Sequence, residues 1–143
     1  MIVTVTLNPS IDRTAPIAGP LRRGQVNRLG SSTEVAAGKG VNISRVLRGA
    51  GIETCAVVPA GAKGRLTLGL NHDDIPHQVV PVAAAVRTNL TITEPDGTTT
   101  KINEPGADLS PEELTAVEEA IVEKSSGAQW VVLSGSLPPV SYT

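Results

Sequence analysis

The chain has 143 residues, with 12 Lys and Arg against 14 Asp and Glu, a formal charge of −2 and a pI near 5.6. A weakly acidic chain without a basic cluster has no electrostatic footprint for nucleic acid or an anionic membrane, and its two aromatic residues, Trp130 and Tyr142, offer no stacking platform for bases. The length fits one domain, and without Phe the core must come from Val, Ile, Leu and Ala, the composition of buried parallel strands and the helices over them, so the expected class is α/β.

Residues 2–7 alternate apolar side chains with Thr and break at Asn8-Pro9-Ser10, which predicts a first strand ending in a loop that carries Asp12. Polar loops at the carboxyl ends of strands are where α/β sheets bind ligands. Residues 25–37 are mostly polar with β-branched interruptions, as in strands packed on one face only, outside the main sheet. The stretch EVAAGKGVNISRVLRGAG, residues 34–51, then sets two glycines around Lys39 and turns into a helix from about Gly40. Ile43, Val46, Leu47 and Ala50 recur at i, i+3, i+4, i+7 as its apolar face, and Gly51 supplies the stop. Glycines let backbone N–H groups approach a ligand, the helix start carries partial positive charge, and Lys39 adds a full one, so the expected ligand is an anion.

Residues 53–58 read as a second core strand in which Cys55 is a buried small hydrophobe; a single cysteine permits no disulfide framework. Residues 61–73 give a weak helix, because leucines at 66, 68 and 70 fit helical spacing poorly. Residues 86–94 and 98–104 are Thr-rich β runs joined by Pro95-Asp96-Gly97, a hairpin whose polarity suits an appendage facing water on one side. Ser110-Pro111-Glu112-Glu113 is a capping box with Pro at the first helical position, followed by the apolar face of Leu114, Val117 and Ile121 and by Gly127 as the stop. Residues 129–134 form a last strand that runs into Gly135-Ser136-Leu137-Pro138-Pro139, a second loop at a strand end. The opening residues are too short and polar for a signal peptide, and no run approaches the roughly 18 apolar residues of a membrane span, so the expected compartment is the cytoplasm.

Two nucleotide motifs are excluded around Lys39. A P-loop requires Ser or Thr after the lysine, where Gly40 stands, and the dinucleotide fingerprint requires glycine where Ile43 stands. Asn42-Ile43-Ser44 and Asn89-Leu90-Thr91 match the glycosylation pattern by coincidence, in the absence of a secretion signal. His72 and His77 have no carboxylate or cysteine at ligand spacing, so no metal is expected.

Four blocks in order, TVTLNPSID, AAGKGVN, VRTNLTITEPDGTTTKINEPG and LSGSLPP, cover nearly the whole chain and resemble the amino-terminal half of the ribokinase-type (PfkB) carbohydrate kinases. Within that superfamily the pattern is most similar to the 1-phosphofructokinases, with tagatose-6-phosphate kinases and the minor type of 6-phosphofructokinase beside them. The resemblance implies a three-layer α/β sandwich with a small β-lid, here segments of about 14–37 and 86–104, that closes over the sugar. It implies an ATP-dependent phosphohexose kinase converting fructose 1-phosphate to fructose 1,6-bisphosphate, with a phosphorylated ketohexose as partner. The alternatives are action on tagatose 6-phosphate or fructose 6-phosphate, or a non-catalytic sugar-phosphate-binding or assembly module. By the same resemblance Asp12 accepts hydrogen bonds from sugar hydroxyls, Gly38, Lys39 and Asn42 line the sugar and phosphate region, Arg87 and Lys101 hold the phosphate from adjacent lid strands a few ångströms apart, and Ser136 contacts the sugar. Asn27 and Arg28 are secondary candidates for substrate contact in the lid.

The pattern also departs from that family. The catalytic Asp and anion hole of the resembling kinases lie in a GAGD-like block near the carboxyl end, and residues 1–143 contain none; Asp73, Asp74, Asp96 and Asp108 sit in no glycine-rich helix start. No catalytic residue is therefore assigned. ATP and Mg²⁺ are implied for the full-length enzyme only, the nucleotide-binding half is missing, and the chain alone is expected to have no turnover. If residues 131–134 are an inner strand of the full sheet, their edge is bared here and is covered by a homodimer, a carboxyl-terminal fragment or a partner chain; the expected assembly is a homodimer through the β-lid or that edge.

Overall fold

A computed structural model describes residues 1–139, so Tyr142 lies outside the described residues. Strands β1 (Ile2–Val5), β4 (Thr54–Ala60), β5 (His77–Pro81) and β8 (Trp130–Leu133) form one sheet in the order β5-β4-β1-β8, every pair parallel. Strands β2 (Ser10–Pro16), β3 (Thr33–Ala37), β6 (Arg87–Thr93) and β7 (Thr99–Asn103) form a second sheet in the order β3-β2-β6-β7. Helices α1 (Lys39–Gly49), α2 (Arg65–His72) and α3 (Pro111–Ser125) complete the chain.

Strand periodicity sorts the core into two layers. On one side of the parallel sheet, Val3, Val5, Val57 and Val80 pack against Val117 of α3. On the other, Ala56, Val58 and Ala60 meet Val41 of α1 and Leu66 and Leu70 of α2, together with Ile11 and Ala36 of the second sheet. The result is α3, sheet, then α1 with α2: a three-layer sandwich, with the smaller sheet joined to the α1–α2 side. Thr4 and Thr6 of the β1 segment face that side and are buried, and hydroxyls satisfy one another there: Thr4 Oγ1 lies 2.8 Å from Ser44 Oγ, and Ser44 Oγ 2.9 Å from Thr54 Oγ1. Among the described residues no helix is long and apolar enough to cross a membrane.

Several expectations are corrected. Asp12 is on a strand, not in a loop: Ile11 and Ala15 turn inward while Asp12 and Thr14 are exposed, a period of two that begins immediately after Pro9. Within 25–37 only Thr33–Ala37 forms a strand, preceded by a loop with one bridge, Ile17 to Leu29. Strand β5 was not anticipated; it is a short edge strand just past α2. The buried face of α1 is Gly40, Val41 and Ser44, while Val46 is 72 % exposed, because this helix approaches the sheet through small residues instead of bulky ones. Cys55 is half-buried, and its burial pushes the thiol pKa up, with Lys124 pulling slightly the other way. In α2, Leu66 and Leu70 point inward at i, i+4 and Leu68 outward, which explains the poor periodicity. The hairpin and the capped α3 form as expected.

At the rim, β8 pairs only with β1 among the described strands, and Trp130 and Leu133 are 70 % and 66 % exposed.

The close approach at α1 makes its first glycines decisive. A Cβ on Gly40 would lie 2.5 Å from Thr6 Oγ1 and 2.8 Å from the Val5 carbonyl oxygen. The overpacking cost of about 1–3 kcal/mol outweighs the gain of at most about 1 kcal/mol that Ala brings to a helix. Gly40→Ala is therefore expected to lower the urea midpoint of the chain, and an unchanged or raised midpoint overturns the packing claim.

The α3 cap gives a pH-dependent term. Ser110 Oγ accepts from the Glu113 N–H at 3.2 Å, and the Glu113 carboxylate accepts from the N–H groups of Ser110 at 2.8 Å and Ala83 at 2.7 Å. Those backbone donors, Ser110 first, hold the Glu113 carboxyl below its ordinary value of 4.5. A depressed folded value means the stabilisation is complete above the ordinary value and lost as pH falls through the folded one. Thermal melts across the acid range are expected to show a flatter loss of stability for Glu113→Gln than for the unaltered chain, and Ser110→Ala is expected to cost about 1 kcal/mol at neutral pH.

Candidate functional site

The chain leaves β1 toward β4 by way of the small sheet and α1 on one face, and reaches β8 by way of α3 on the other. The carboxyl ends of β1 and β8 therefore flank a topological switch point, the place where parallel sheets open a crevice. An open cup of about 250 Å³ sits there.

Its floor comes from the core. Asn8 follows β1, Gly135 and Ser136 follow β8, and Gly38, Lys39 and Asn42 come from the start of α1. Gly38 has φ of 136°, in the region that favours glycine, and a Cβ there would lie 2.5 Å from Thr6 Cγ2. The same threonine accepts from the Val41 N–H through Oγ1 at 3.1 Å, so a side chain of the β1 segment caps α1 and aims its first turn at the cup. Asn42 Oδ1 accepts from Arg45 Nη1 at 2.8 Å, which leaves the Asn42 NH₂ as its remaining donor group.

The wall comes from the small sheet. Register pairs Ser10 with Arg87 and Asp12 with Asn89, so these four share one face, and all four line the cup. Asp12 Oδ1 accepts from Ser10 Oγ at 2.9 Å and from Asn89 Nδ2 at 3.0 Å. Arg87 ties wall to floor: Nη2 donates to the Asn8 carbonyl at 3.2 Å and to Ser136 Oγ at 3.5 Å, and Nη1 to the Glu104 carbonyl at 3.3 Å. The Asn8 side chain does the same from the other side, Nδ2 donating to the Pro105 carbonyl at 3.0 Å and to Ser136 Oγ at 3.2 Å.

The structure thus brings Asp12, Gly38, Lys39, Asn42, Arg87 and Ser136 together, and leaves Lys101 out. Lys101 stands opposite Thr91, four residues along β6 from Arg87, or roughly 13 Å at the rise of a strand. The expectation that Arg87 and Lys101 lie a few ångströms apart is corrected by that register. Asn27 and Arg28 line a separate cavity of about 540 Å³ in the 17–28 loop, where the Asn27 side chain is engaged with Arg22 and Gln25 of its own loop. Asn8, Ser10, Asn89 and Gly135 were not anticipated. The signal for Ser10 and Asn89 was present, since each sits two residues from an anticipated partner on a strand and so shares its face.

Two cations and one carboxylate give the cup a net positive charge, and the start of α1 adds to it. Amides, hydroxyls and a guanidinium supply donors, and Asp12 supplies the charged acceptor. Such a surface suits an anion carrying hydroxyl groups. Among the described residues no three His, Cys, Asp or Glu side chains gather as metal ligands, and Asp12 is the one acid lining the cup.

No protein-family model matches the chain. It is 32 % identical over 142 residues to the 1-phosphofructokinase of Vibrio cholerae, a match covering 96 % of this chain and 44 % of that protein. It is likewise 32 % identical over 143 residues to the ATP-dependent 6-phosphofructokinase isozyme 2 of Mycobacterium tuberculosis, covering 96 % of this chain and 41 % of the relative. The structure superposes on Escherichia coli phosphofructokinase-2 in complex with fructose-6-phosphate with a TM-score of 0.87 at 31 % identity, over 96 % of this chain and 46 % of that one. The chain spans under half the length of the relatives it matches. Over that span its fold is that of the ribokinase-like phosphofructokinases.

Proposed function

We propose that this chain is the sugar-phosphate-binding part of an ATP-dependent phosphohexose kinase of the ribokinase-like (PfkB) type, acting on fructose 1-phosphate. The convergence of Asp12, Lys39 and Arg87 from three separate elements on one cup carries the reading. In it, Arg87 and Lys39 hold the substrate's phosphate, Asp12 accepts from its hydroxyls, and Gly38, Asn42 and Ser136 complete the contacts. Lys101 lies on the same lid face, opposite Thr91 and four residues along β6 from Arg87, and does not line the cup, so its part is minor.

Fructose 6-phosphate is the second reading. It is supported by the equal identity to the M. tuberculosis 6-phosphofructokinase and by the likeness to the E. coli protein in complex with fructose-6-phosphate. The residues described do not fit Mg²⁺-ATP: the cup holds a single carboxylate, and one of its oxygens already accepts two hydrogen bonds. We assign the nucleotide site, the metal and the phosphoryl-transfer machinery to the portion of such kinases that lies outside the matched span. Homodimerisation through the lid or the bared β8 edge, and a cytoplasmic setting, belong to the same proposal.

Binding tests it directly. Isothermal titration of the chain with fructose 1-phosphate and fructose 6-phosphate is expected to show binding that Arg87→Ala weakens roughly 10- to 150-fold, the worth of one charge-assisted contact. Unchanged affinity removes Arg87 from the site, and no binding by the unaltered chain ends the reading. With ATP, Mg²⁺ and either sugar phosphate, the chain alone is expected to release no ADP; turnover overturns the assignment of the chemistry to the portion outside the matched span.

A further inference from the structure

Among the described residues the chain passes between the core and the small sheet four times, at 6–9, at Gly38, at 82–86 and at 104–110. The last two connections meet: Val86 of one and Ala107 and Leu109 of the other line, with Asn8 and Pro59, a shared cavity of about 30 Å³. At the cup they are held by Arg87, whose Nη1 donates to the Glu104 carbonyl at 3.3 Å, and by Asn8, whose Nδ2 donates to the Pro105 carbonyl at 3.0 Å. At their other ends one side chain holds both. The Glu113 carboxylate accepts from the Ala83 N–H through Oε1 at 2.7 Å and from the Ser110 N–H through Oε2 at 2.8 Å. A capping box needs only the second of these bonds. The first reaches back 30 residues, to a segment outside α3. Water would satisfy an exposed N–H as well, so what that bond supplies is position.

We propose that Glu113 is a positioning residue for the cup: its carboxylate clips both connections to α3 and so sets where β6, and with it Arg87, stands over the floor. Ala83 is four residues before Arg87, at most about 14 Å along an extended chain. The clip uses one oxygen for each N–H. Glutamine has a single oxygen and would turn its NH₂ toward a donor, so it can serve one connection and not the other. The bond that caps α3 proper, from the Glu113 N–H to Ser110 Oγ at 3.2 Å, lies within the first turn of the helix, so cap and clip can be broken separately. Arg87 is its own reporter: Nε is buried without a partner, so its proton meets water only when the wall moves. The inference holds whichever ligand the cup takes.

Exchange of the Ala83 N–H and Arg87 Nε–H with water, followed by NMR on the full chain, tests it. Glu113→Gln is expected to speed both about 10-fold or more. Ser110→Ala, which removes the cap and leaves the carboxylate in place, is expected to lower the urea midpoint and leave both rates unchanged. Unaltered Arg87 exchange in Glu113→Gln, or equal acceleration in the two variants, overturns the inference. The unaltered chain gives a second measurement if the glutamine variant fails to fold by circular dichroism. The amide proton shifts of Ala83 and Ser110 are expected to titrate together, with one midpoint below the ordinary 4.5 of a glutamate. The other carboxyls at this corner are Glu112 beside it on α3 and Asp108 two residues before Ser110, while 82–86 carries no charge. Separate midpoints, or an Ala83 shift that does not titrate, overturn the inference.

Discussion

The close contact between the start of α1 and the end of β1 sets the rest of the molecule. Thr6 touches α1 three ways: it leaves no room for a Cβ on Gly38, none for one on Gly40, and its hydroxyl accepts from the Val41 N–H. Two glycines are needed to bring a helix start that near to a strand end, and once there the helix delivers its partial charge and Lys39 to the switch point between β1 and β8. Further along the same helix, Ser44 bridges Thr4 and Thr54 in a buried hydroxyl chain, which fixes α1 over the two central strands. A helix with a bulky apolar face would stand farther off, and the cup would lose its floor.

Much of this was legible from residue types. The capping box of α3, the Pro95-Asp96-Gly97 hairpin and the strands with Val-rich cores follow from local chemistry, and local chemistry is written in adjacent residues. The buried face of α1 was not legible, because periodicity counts apolar bulk and this interface selects for smallness; Gly40 and Ser44 carry no hydrophobic signal. The strand through Asp12 was obscured by Pro9, which reads as a turn but here separates two strands of different sheets. Of the residues that line the cup, the glycine-lysine stretch was marked by its own residue types and Arg87 by the family resemblance, whereas the distance between Arg87 and Lys101 depends on a register that pairs Lys101 with Thr91, and nothing short of the paired backbone reveals it.

The cup belongs to neither sheet alone. Its floor is on the parallel core and its wall on the small sheet, and Arg87 and Asn8 cross between them to carbonyls and hydroxyls of the loops after β1, β7 and β8. These bonds are mostly to backbone, so they fix where the loops stand without using up the charge of the guanidinium. Asp12 keeps Oδ2 clear of the two hydrogen bonds that hold Oδ1. Preorganisation of this kind lowers the ordering cost that a ligand must meet on binding.

Because the groups lining the cup are divided between the small sheet, which carries Asp12 and Arg87, and the core side, which carries Lys39, Asn42 and Ser136, a ligand that contacted both would favour the docked arrangement over any state in which the small sheet has parted from the core. Its binding free energy is therefore added to the docking of the two sheets by mass action. The small sheet is also held to the helices: Ile11 and Ala36 join the core cluster, Arg45 Nη2 donates to the Ala36 carbonyl at 2.6 Å, and Arg65 pairs with Glu34 at 3.1 Å and donates to Thr88 Oγ1 at 3.2 Å. The polar contacts around Arg87 and Asn8 add to these attachments at the edge of the cup. Arg87 then has two parts to play under the proposed function, since the side chain that would meet the ligand also ties the small sheet to the loops after β1 and β8.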